Sequence, residues 1–338
     1  MKDIMGEISV LLRPAPKRIE EAEGRARRLA KALRNRRYGE FRIGRIMEYG
    51  SVFRGTALSA FADIDLLLVI DPESLGGVAG STPSATGAIR NLAEFLQRRH
   101  KELAEVGKVA VWSQRHSVGV EYPEHRIRVD LVPALPTNKP DIVCIPKRDS
   151  AEWIQGCPRG IRERLDDLSI SQPRVITAIR FLKGWRRAQE LRKLNGYAVE
   201  LLAVQAADDD ENLSATRIVR RVWEGIARSS GGRHMRLMGA RGKEPVNLID
   251  PWTGANVLTG LHHQDRHQLA EAAEAALEDL RSLIQSVRAG DREWALKQAK
   301  RLFVGRQWES RAKSAQRGEL FVGAKTQRNQ EIPWGKAK

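Results

Sequence analysis

The chain has 338 residues, 41% of them hydrophobic, which suits one large or two ordinary domains with an apolar core and excludes overall disorder. Its 58 lysines and arginines against 42 aspartates and glutamates give a net charge of +16, which favours polyanionic partners such as nucleotides or nucleic acid, or else a solvated basic surface. There is no apolar run of about eighteen residues, and the opening Met-Lys-Asp-Ile-Met-Gly-Glu lacks the apolar stretch of a signal peptide, so a cytoplasmic protein with no membrane partner is expected.

From Lys17 to Arg37, Ile19, Ala22, Ala26, Leu29 and Leu33 recur at spacings of three and four and predict an amphipathic helix. Its other face is basic, with seven positive residues between Arg25 and Arg37, a pattern that suits a solvated surface or a phosphate backbone. Phe41 to Met47 reads as a short strand leading into a Gly50-Ser51 turn, and Gly55-Thr56 is a second small pair. Glycine lets backbone approach a ligand closely, and a serine hydroxyl beside exposed N–H groups can cradle an anion, so Gly50 and Ser51 are candidate phosphate-binding residues.

Asp63, with eleven residues between it and Ser51, and then Asp65 head the strand Asp-Ile-Asp-Leu-Leu-Leu-Val-Ile. Alternation puts both carboxylates on one face and Ile64, Leu66, Leu68 and Ile70 on the other. Two adjacent ionised acids are unfavourable without a cation between them, and hard divalent ions take carboxylate oxygens. A loop rich in glycine, serine and proline follows over 71–87, then a helix with Ile89, Leu92, Phe95 and Leu96 on one side and Arg90, Arg98, Arg99 and Lys101 mostly on the other.

Lys108 to Pro133 alternates like paired strands, with Val109 and Val111, Val118 and Val120, a turn at Pro123-Glu124-His125, and Ile127, Val129 and Leu131. On the last strand Asp130 faces away from the three apolar residues together with Arg128, a third carboxylate. A helix from about Pro173 to Leu194 has Ala178, Phe181, Leu182 and Trp185 as an apolar stripe, with Arg180, Lys183 and Arg187 off it. Asn195-Gly196-Tyr197 opens a further helix, where Tyr197 reads as a core anchor from the residues alone. Pro245 to Val257 reads as an apolar strand or loop ended by an Asp-Pro turn, with Asn256 able to cap the next helix. Helices are expected over Arg266 to Val287 and Asp291 to Phe303, and a basic, mobile tail after Gly305. Cys144 and Cys157 fit no disulfide framework or zinc site, and His262, His263 and His267 lack a further metal ligand and read as structural.

The pattern Gly-Ser-x-x-Arg-Gly-Thr before Asp-Ile-Asp resembles the DNA polymerase β-type nucleotidyltransferases, in the branch of oligoadenylate synthases, cyclic GMP-AMP synthase and their bacterial relatives, the CD-NTases. Val129-Asp130-Leu131-Val132-Pro133 is similar to that family's third-acid strand, Ile145-Pro146 and Trp153 to Pro158 to its connector, and Pro245 to Val257 to its hydrophobic-Asp-Pro and Asn segment. The resemblance covers about residues 45 to 305. It implies an α+β fold, a polymerase β-like core of mixed sheet flanked by helices, with a C-terminal α-helical domain and the active site in the cleft between them. The corresponding divisions are 1–170, 171–305 and a tail at 306–338.

The resemblance further implies two Mg²⁺ ions, or Mn²⁺, on Asp63, Asp65 and Asp130, which are then the catalytic residues. Lys183 matches the lysine that contacts the donor triphosphate, and Tyr197 the aromatic that stacks on a base; Gly196 stands where relatives carry a serine, leaving the Gly196 N–H or the Asn195 amide as a substitute phosphate contact. Implied substrates are nucleoside triphosphates, ATP or GTP foremost, and the implied product is a cyclic di- or trinucleotide acting on a downstream effector in antiphage signalling, with nucleic acid or another ligand as an activator. Two other readings stay open at this point: a linear oligonucleotide or RNA-end transferase, which the +16 charge favours, and an inactive nucleotide- or RNA-binding module, to which Gly196 leaves room.

Overall fold

The computed structural model of the chain describes residues 1–34, 42–59, 63–75, 82–99, 109–122, 127–147, 150–208, 212–228 and 248–305. The expected tail at 306–338, the turn at Pro123-Glu124-His125, and Arg36, Arg37, Phe41 and Lys101 lie outside the described residues.

Helices α1 (Lys2–Leu12) and α2 (Pro16–Arg34) precede strand β1 (Ile43–Tyr49), the short helical turn α3 (Gly50–Phe53) and strand β2 (Asp63–Ile70). Helix α4 (Ala85–Arg98) leads into β3 (Ala110–Ser113), β4 (Val118–Tyr122) and β5 (Ile127–Pro136), and a hairpin of β6 (Val143–Pro146) and β7 (Trp153–Gly156) follows. The rest is helical: α5 (Pro158–Ser171), α6 (Arg174–Ala188), α7 (Gly196–Asp208), α8 (Ala215–Arg228), α9 (His263–Arg288) and α10 (Arg292–Phe303).

The strands form one mixed sheet in the order β1-β2-β5-β4-β3, with β6 joined to β5 and β7 to β6. β2 and β5 run parallel at its centre and the other pairs are antiparallel. The apolar face of β2 that alternation predicts, Ile64, Leu66, Leu68 and Ile70, packs with Ala22, Ala26, Leu29 and Leu33 of α2 and Leu92, Phe95 and Leu96 of α4. On the opposite face Leu67 and Val69 are also buried, against Ala134 and Val143. A strand sealed on both faces needs a nearly continuous apolar run, which Leu66 to Ile70 supplies.

A second, larger core joins α5 to α10, and α1 belongs to it: Ile4, Met5, Ile8 and Leu12 pack with Phe181, Leu182, Trp185, Trp223 and Phe303. The first helix therefore leaves the sheet and packs on α6 and α10. Gly184 permits this close packing, since a Cβ there would stand 2.2 Å from the Phe303 carbonyl oxygen. α6 ends at Ala188, short of the expected Leu194, and the chain reverses through Glu190 at φ 52°.

The basic face of α2 is partly spoken for within the fold. Arg27 pairs with Glu23 and Glu48, Arg34 donates to the Ile46 carbonyl at 2.8 Å, and the Arg25 guanidinium lies 5.6 Å from the Tyr122 ring centre. Cys144 and Cys157 are free thiols. Among the described residues no helix is long and apolar enough to cross a membrane.

Candidate active site

Four side chains form a two-by-two patch where β2 and β5 run side by side: Asp63 is opposite Arg128, and Asp65 is opposite Asp130. The parallel register thus brings together three acids that lie 65 and more positions apart in pairs across the strands. Asp63 keeps 45% of its side chain exposed whereas Asp130 keeps 5%, so solvent reaches the patch from the Asp63 side. Burial pushes the Asp130 carboxyl up to about 6, with Arg128 pulling it down and Asp63 pushing it up, and a hydrogen bond from Gln114 Nε2 to Oδ1 at 2.8 Å favours its ionised form. Asp65 is raised well above the usual carboxylate range by burial and by its two acidic neighbours.

The cation that this negative cluster requires is supplied by Arg128. Its Nη2 donates to Asp63 Oδ2 at 2.6 Å and lies 3.4 Å from Asp130 Oδ2, while its Nε stands 2.8 Å from Asp130 Oδ1. The sequence shows Arg128 on the face of Asp130, two residues away, but its partner across the strands could not be known without the register. Among the described residues no three acids, histidines or cysteines close on a common point as a finished metal site. The donor set nevertheless suits a hard divalent ion: oxygen ligands only, an excess of negative charge, and a cationic group already standing between two of the acids.

The Gly50-Ser51 turn is built against this patch. Tyr49 pairs with Asp65 across β1 and β2, so α3 starts beside that carboxylate. Gly50 has φ 80°, and a Cβ on it would fall 1.8 Å from Asp65 Oδ2; only glycine satisfies both the backbone and the space. Tyr49, at the N-cap of α3, makes no side-chain cap hydrogen bond, which suits an anion above the turn.

Behind the turn lies a buried ionic network that sequence reasoning did not assemble. Arg54 donates from Nε to Glu200 Oε2 at 2.9 Å, and Thr56 Oγ1 donates to Glu200 Oε1 at 2.5 Å. Lys183 Nζ donates to Glu200 Oε1 at 2.6 Å, to Thr56 Oγ1 at 2.9 Å and to the Thr56 carbonyl at 3.2 Å. Arg180, three residues earlier on α6, donates to the carbonyls of Gly55 and Ala57 at 2.5 and 3.3 Å. Residues three apart share a helix face, so Arg180 and Lys183 together clamp the Gly50–Ala57 segment onto the helical layer. Both lie off the apolar stripe as expected, yet Lys183 is buried against the turn and the half-buried Arg180 bonds it as well.

Burial opposes ionisation of Glu200, yet Arg54 and Lys183 overcome it and hold its carboxyl at about 2. Lys183 is pushed down to about 8 by burial against the pull of Glu200. The two partners differ because Glu200 faces two cations, whereas Lys183 is also repelled by Arg54. One signal for Glu200 was present: a lone charge inside Ala198-Val199-Glu200-Leu201-Leu202, where burial demands a partner.

Tyr197 lies on the edge of the helical core and its hydroxyl donates to Asp250 Oδ2 at 2.6 Å. Asp250 Oδ1 accepts from the N–H groups of Trp252 and Thr253, which ties the Asp-Pro turn to α7. Asn195 accepts from the Ala198 N–H at 2.7 Å and donates to the Val257 carbonyl at 3.2 Å, so its side chain caps α7 and ties it to the 248–257 loop. Gly196 stands beside Lys183, whose Cε would lie 3.8 Å from a Cβ at that position. Asn256 accepts from the N–H groups of Leu248 and Leu258 and closes its own loop, while the next helix begins only after His262, whose N–H donates to Asp265. His267 pairs with Glu271 on the surface of that helix.

Residues 7–168 match the family model described as the Second Messenger Oligonucleotide or Dinucleotide Synthetase (SMODS) domain. Among curated proteins, none matches the chain in sequence. Among solved structures, CdnC of E. coli MS115-1, in the form with ATP, is 17% identical with a TM-score of 0.70, over 90% of this chain and 98% of that one. The same protein in complex with HORMA-deltaN is 16% identical at a TM-score of 0.70, over 89% and 96%. The STING-associated CdnE c-di-GMP synthase of Capnocytophaga granulosa is 14% identical at a TM-score of 0.58, over 83% of this chain and 87% of its own. CdnG of Bradyrhizobium diazoefficiens with GTP is 14% identical at a TM-score of 0.54, over 92% and 97%. Residues 7–168 are thus similar to a SMODS domain, and the chain has the polymerase β-like fold of the bacterial CD-NTases.

Proposed function

We propose that this protein joins nucleoside triphosphates into a cyclic di- or trinucleotide that serves as a second messenger. The observation that carries the reading is the register Asp63–Arg128 and Asp65–Asp130 on parallel strands, with the Gly50-Ser51 turn pressed against Asp65. Asp63, Asp65 and Asp130 would hold two divalent ions, Mg²⁺ or Mn²⁺, which when bound neutralise the triphosphate and polarise the attacking hydroxyl. Gly50 and Ser51 bind the donor phosphates through the N–H groups of α3. Lys183, fixed through Thr56, adds positive charge from behind the turn. Asp130, with its carboxyl near 6, accepts the proton of the acceptor hydroxyl close to neutral pH. Tyr197, its hydroxyl held by Asp250, offers its ring to a nucleobase.

ATP and GTP are the substrates we favour, since relatives of the same fold have been solved with each. The setting we propose is cytoplasmic antiphage signalling, in which the product activates an effector and a partner protein or nucleic acid switches on synthesis; CdnC is solved in complex with HORMA-deltaN.

The test is incubation with labelled triphosphates and Mg²⁺ or Mn²⁺, then phosphatase, beside an Asp63→Ala/Asp65→Ala protein. A phosphatase-resistant product absent from the double variant is expected, because ring closure leaves no terminal phosphate. Product wholly degraded by phosphatase would replace this reading with linear synthesis. No product under any base combination, with or without added RNA, would count against an enzyme.

A further inference from the structure

Arg128 occupies the space that a shared cation would need. Its guanidinium bridges two strands, with Nη2 at 2.6 Å from Asp63 Oδ2 and Nε at 2.8 Å from Asp130 Oδ1. The two contacts differ in kind. The Asp63 contact is a charge-assisted hydrogen bond, whereas the Nε–H is not aligned on Asp130 and contributes charge attraction alone. Gln114 Nε2 donates to the same Asp130 oxygen at 2.8 Å, and Arg128 Nη2 approaches the other at 3.4 Å, so both oxygens of Asp130 face protein donors. Asp63 and Asp130 are thus turned towards the guanidinium, and among the described residues no three acids converge.

We propose that Arg128 is a resident counter-cation that competes with divalent metal for Asp63 and Asp130 and must swing aside before those two acids take it. This rests on the reading that the three aspartates bind divalent metal. The side chain is free enough to move, with 27% of it exposed and one of its two partners on the solvent side. Asp63 and Asp130 together outnumber the one guanidinium, so the patch is negative and a doubly charged ion still gains by replacing a singly charged one. The displaced guanidinium carries a fork of donors matched to phosphate oxygens, and an incoming triphosphate supplies them at the moment of exchange. Nucleotide therefore relieves the competition, and metal binds weakly without it and tightly with it. By linkage, metal raises nucleotide affinity by the same factor.

The experiment measures Mn²⁺ binding by electron paramagnetic resonance, without nucleotide, for the wild type, Arg128→Ala, Arg128→Lys and Asp63→Asn. Arg128→Ala is expected to bind Mn²⁺ about tenfold or more tightly than the wild type, because a unit charge a few ångströms from the ion has gone. Arg128→Lys, which keeps the charge but loses the fork, falls between them and decides the matter should Arg128→Ala not fold. Equal or weaker binding by the arginine variants, with wild-type binding abolished by Asp63→Asn, overturns the competition and leaves the metal site standing. Absence of Mn²⁺ binding in every protein, or binding indifferent to Asp63→Asn, overturns the metal reading and this proposal with it.

Discussion

Replacing Asp130 with asparagine should stabilise the metal-free protein while removing its activity. The carboxyl sits at about 6 against an ordinary 3.8, because burial outweighs Arg128 and the hydrogen bond from Gln114. That difference is about 2 units, or about 3 kcal/mol of preference for the neutral form at 1.36 kcal/mol per unit. A carboxyl whose folded pKa exceeds its unfolded value holds its proton more tightly in the native state. Its contribution is therefore fully present below pH about 4, declines as pH rises to about 6, and is absent above that window. Asparagine stays neutral throughout and its carbonyl still accepts from Gln114, so Asp130→Asn should match the wild type near pH 4 and exceed it near pH 7.5 by about 1–3 kcal/mol, the lower value reflecting the weakened hold on Arg128. The assay is urea unfolding in EDTA at both pH values, repeated with Mg²⁺ at the higher one. Mg²⁺ should stabilise the wild type more than the variant, which keeps only two of the three acids. A variant less stable than the wild type near pH 7.5 in EDTA, or one with the same gain at both pH values, would refute the argument that burial strains the acids in the absence of metal.

Three further outcomes follow from the site. Glu200→Ala leaves Arg54 and Lys183 buried without their shared anion and should cost about 3–5 kcal/mol in urea unfolding, with Glu200→Gln milder because its one carbonyl oxygen still accepts from Lys183. A wild-type-like midpoint for Glu200→Ala would show that the network is relaxed by water. Gly50→Ala forces a Cβ onto Asp65 Oδ2 at a positive φ, and should lower Mn²⁺ affinity at least about tenfold while costing about 1–2 kcal/mol of stability; isothermal titration and unfolding measured together separate the two effects. Gly196→Ser meets only the Lys183 Cε at ordinary contact distance, so it should fold as the wild type does and, by adding a hydroxyl beside that lysine, lower KM for triphosphate with kcat little changed.

Much of the site could be read from the chain because it is local. Gly50, Ser51, Asp63 and Asp65 lie within one turn and one strand, and the period of two decides which way the acids face without knowledge of the rest. The same period separates Asp130 from Ile127, Val129 and Leu131. Periodicity of three and four likewise identified α2, α4, α6, α9 and α10, with ends misplaced where the stop is tertiary, as at Ala188, beyond which the chain reverses through a positive φ at Glu190.

Tertiary structure alone decided the pairings. That Arg128 is opposite Asp63, that Glu200 meets Arg54, Thr56 and Lys183, and that Tyr197 donates to Asp250 are contacts across 65, up to 146, and 53 residues, with no periodic trace in either partner. Lys183 and Arg180 look like solvated helix residues until α6 is laid against the Gly50–Ala57 turn. The first helix gives no sign that its apolar face belongs with α6 and α10 and not with the sheet beside it. Hydrophobic spacing states that a face is buried, whereas its partner depends on strand order, register and helix packing, which sum over the whole chain.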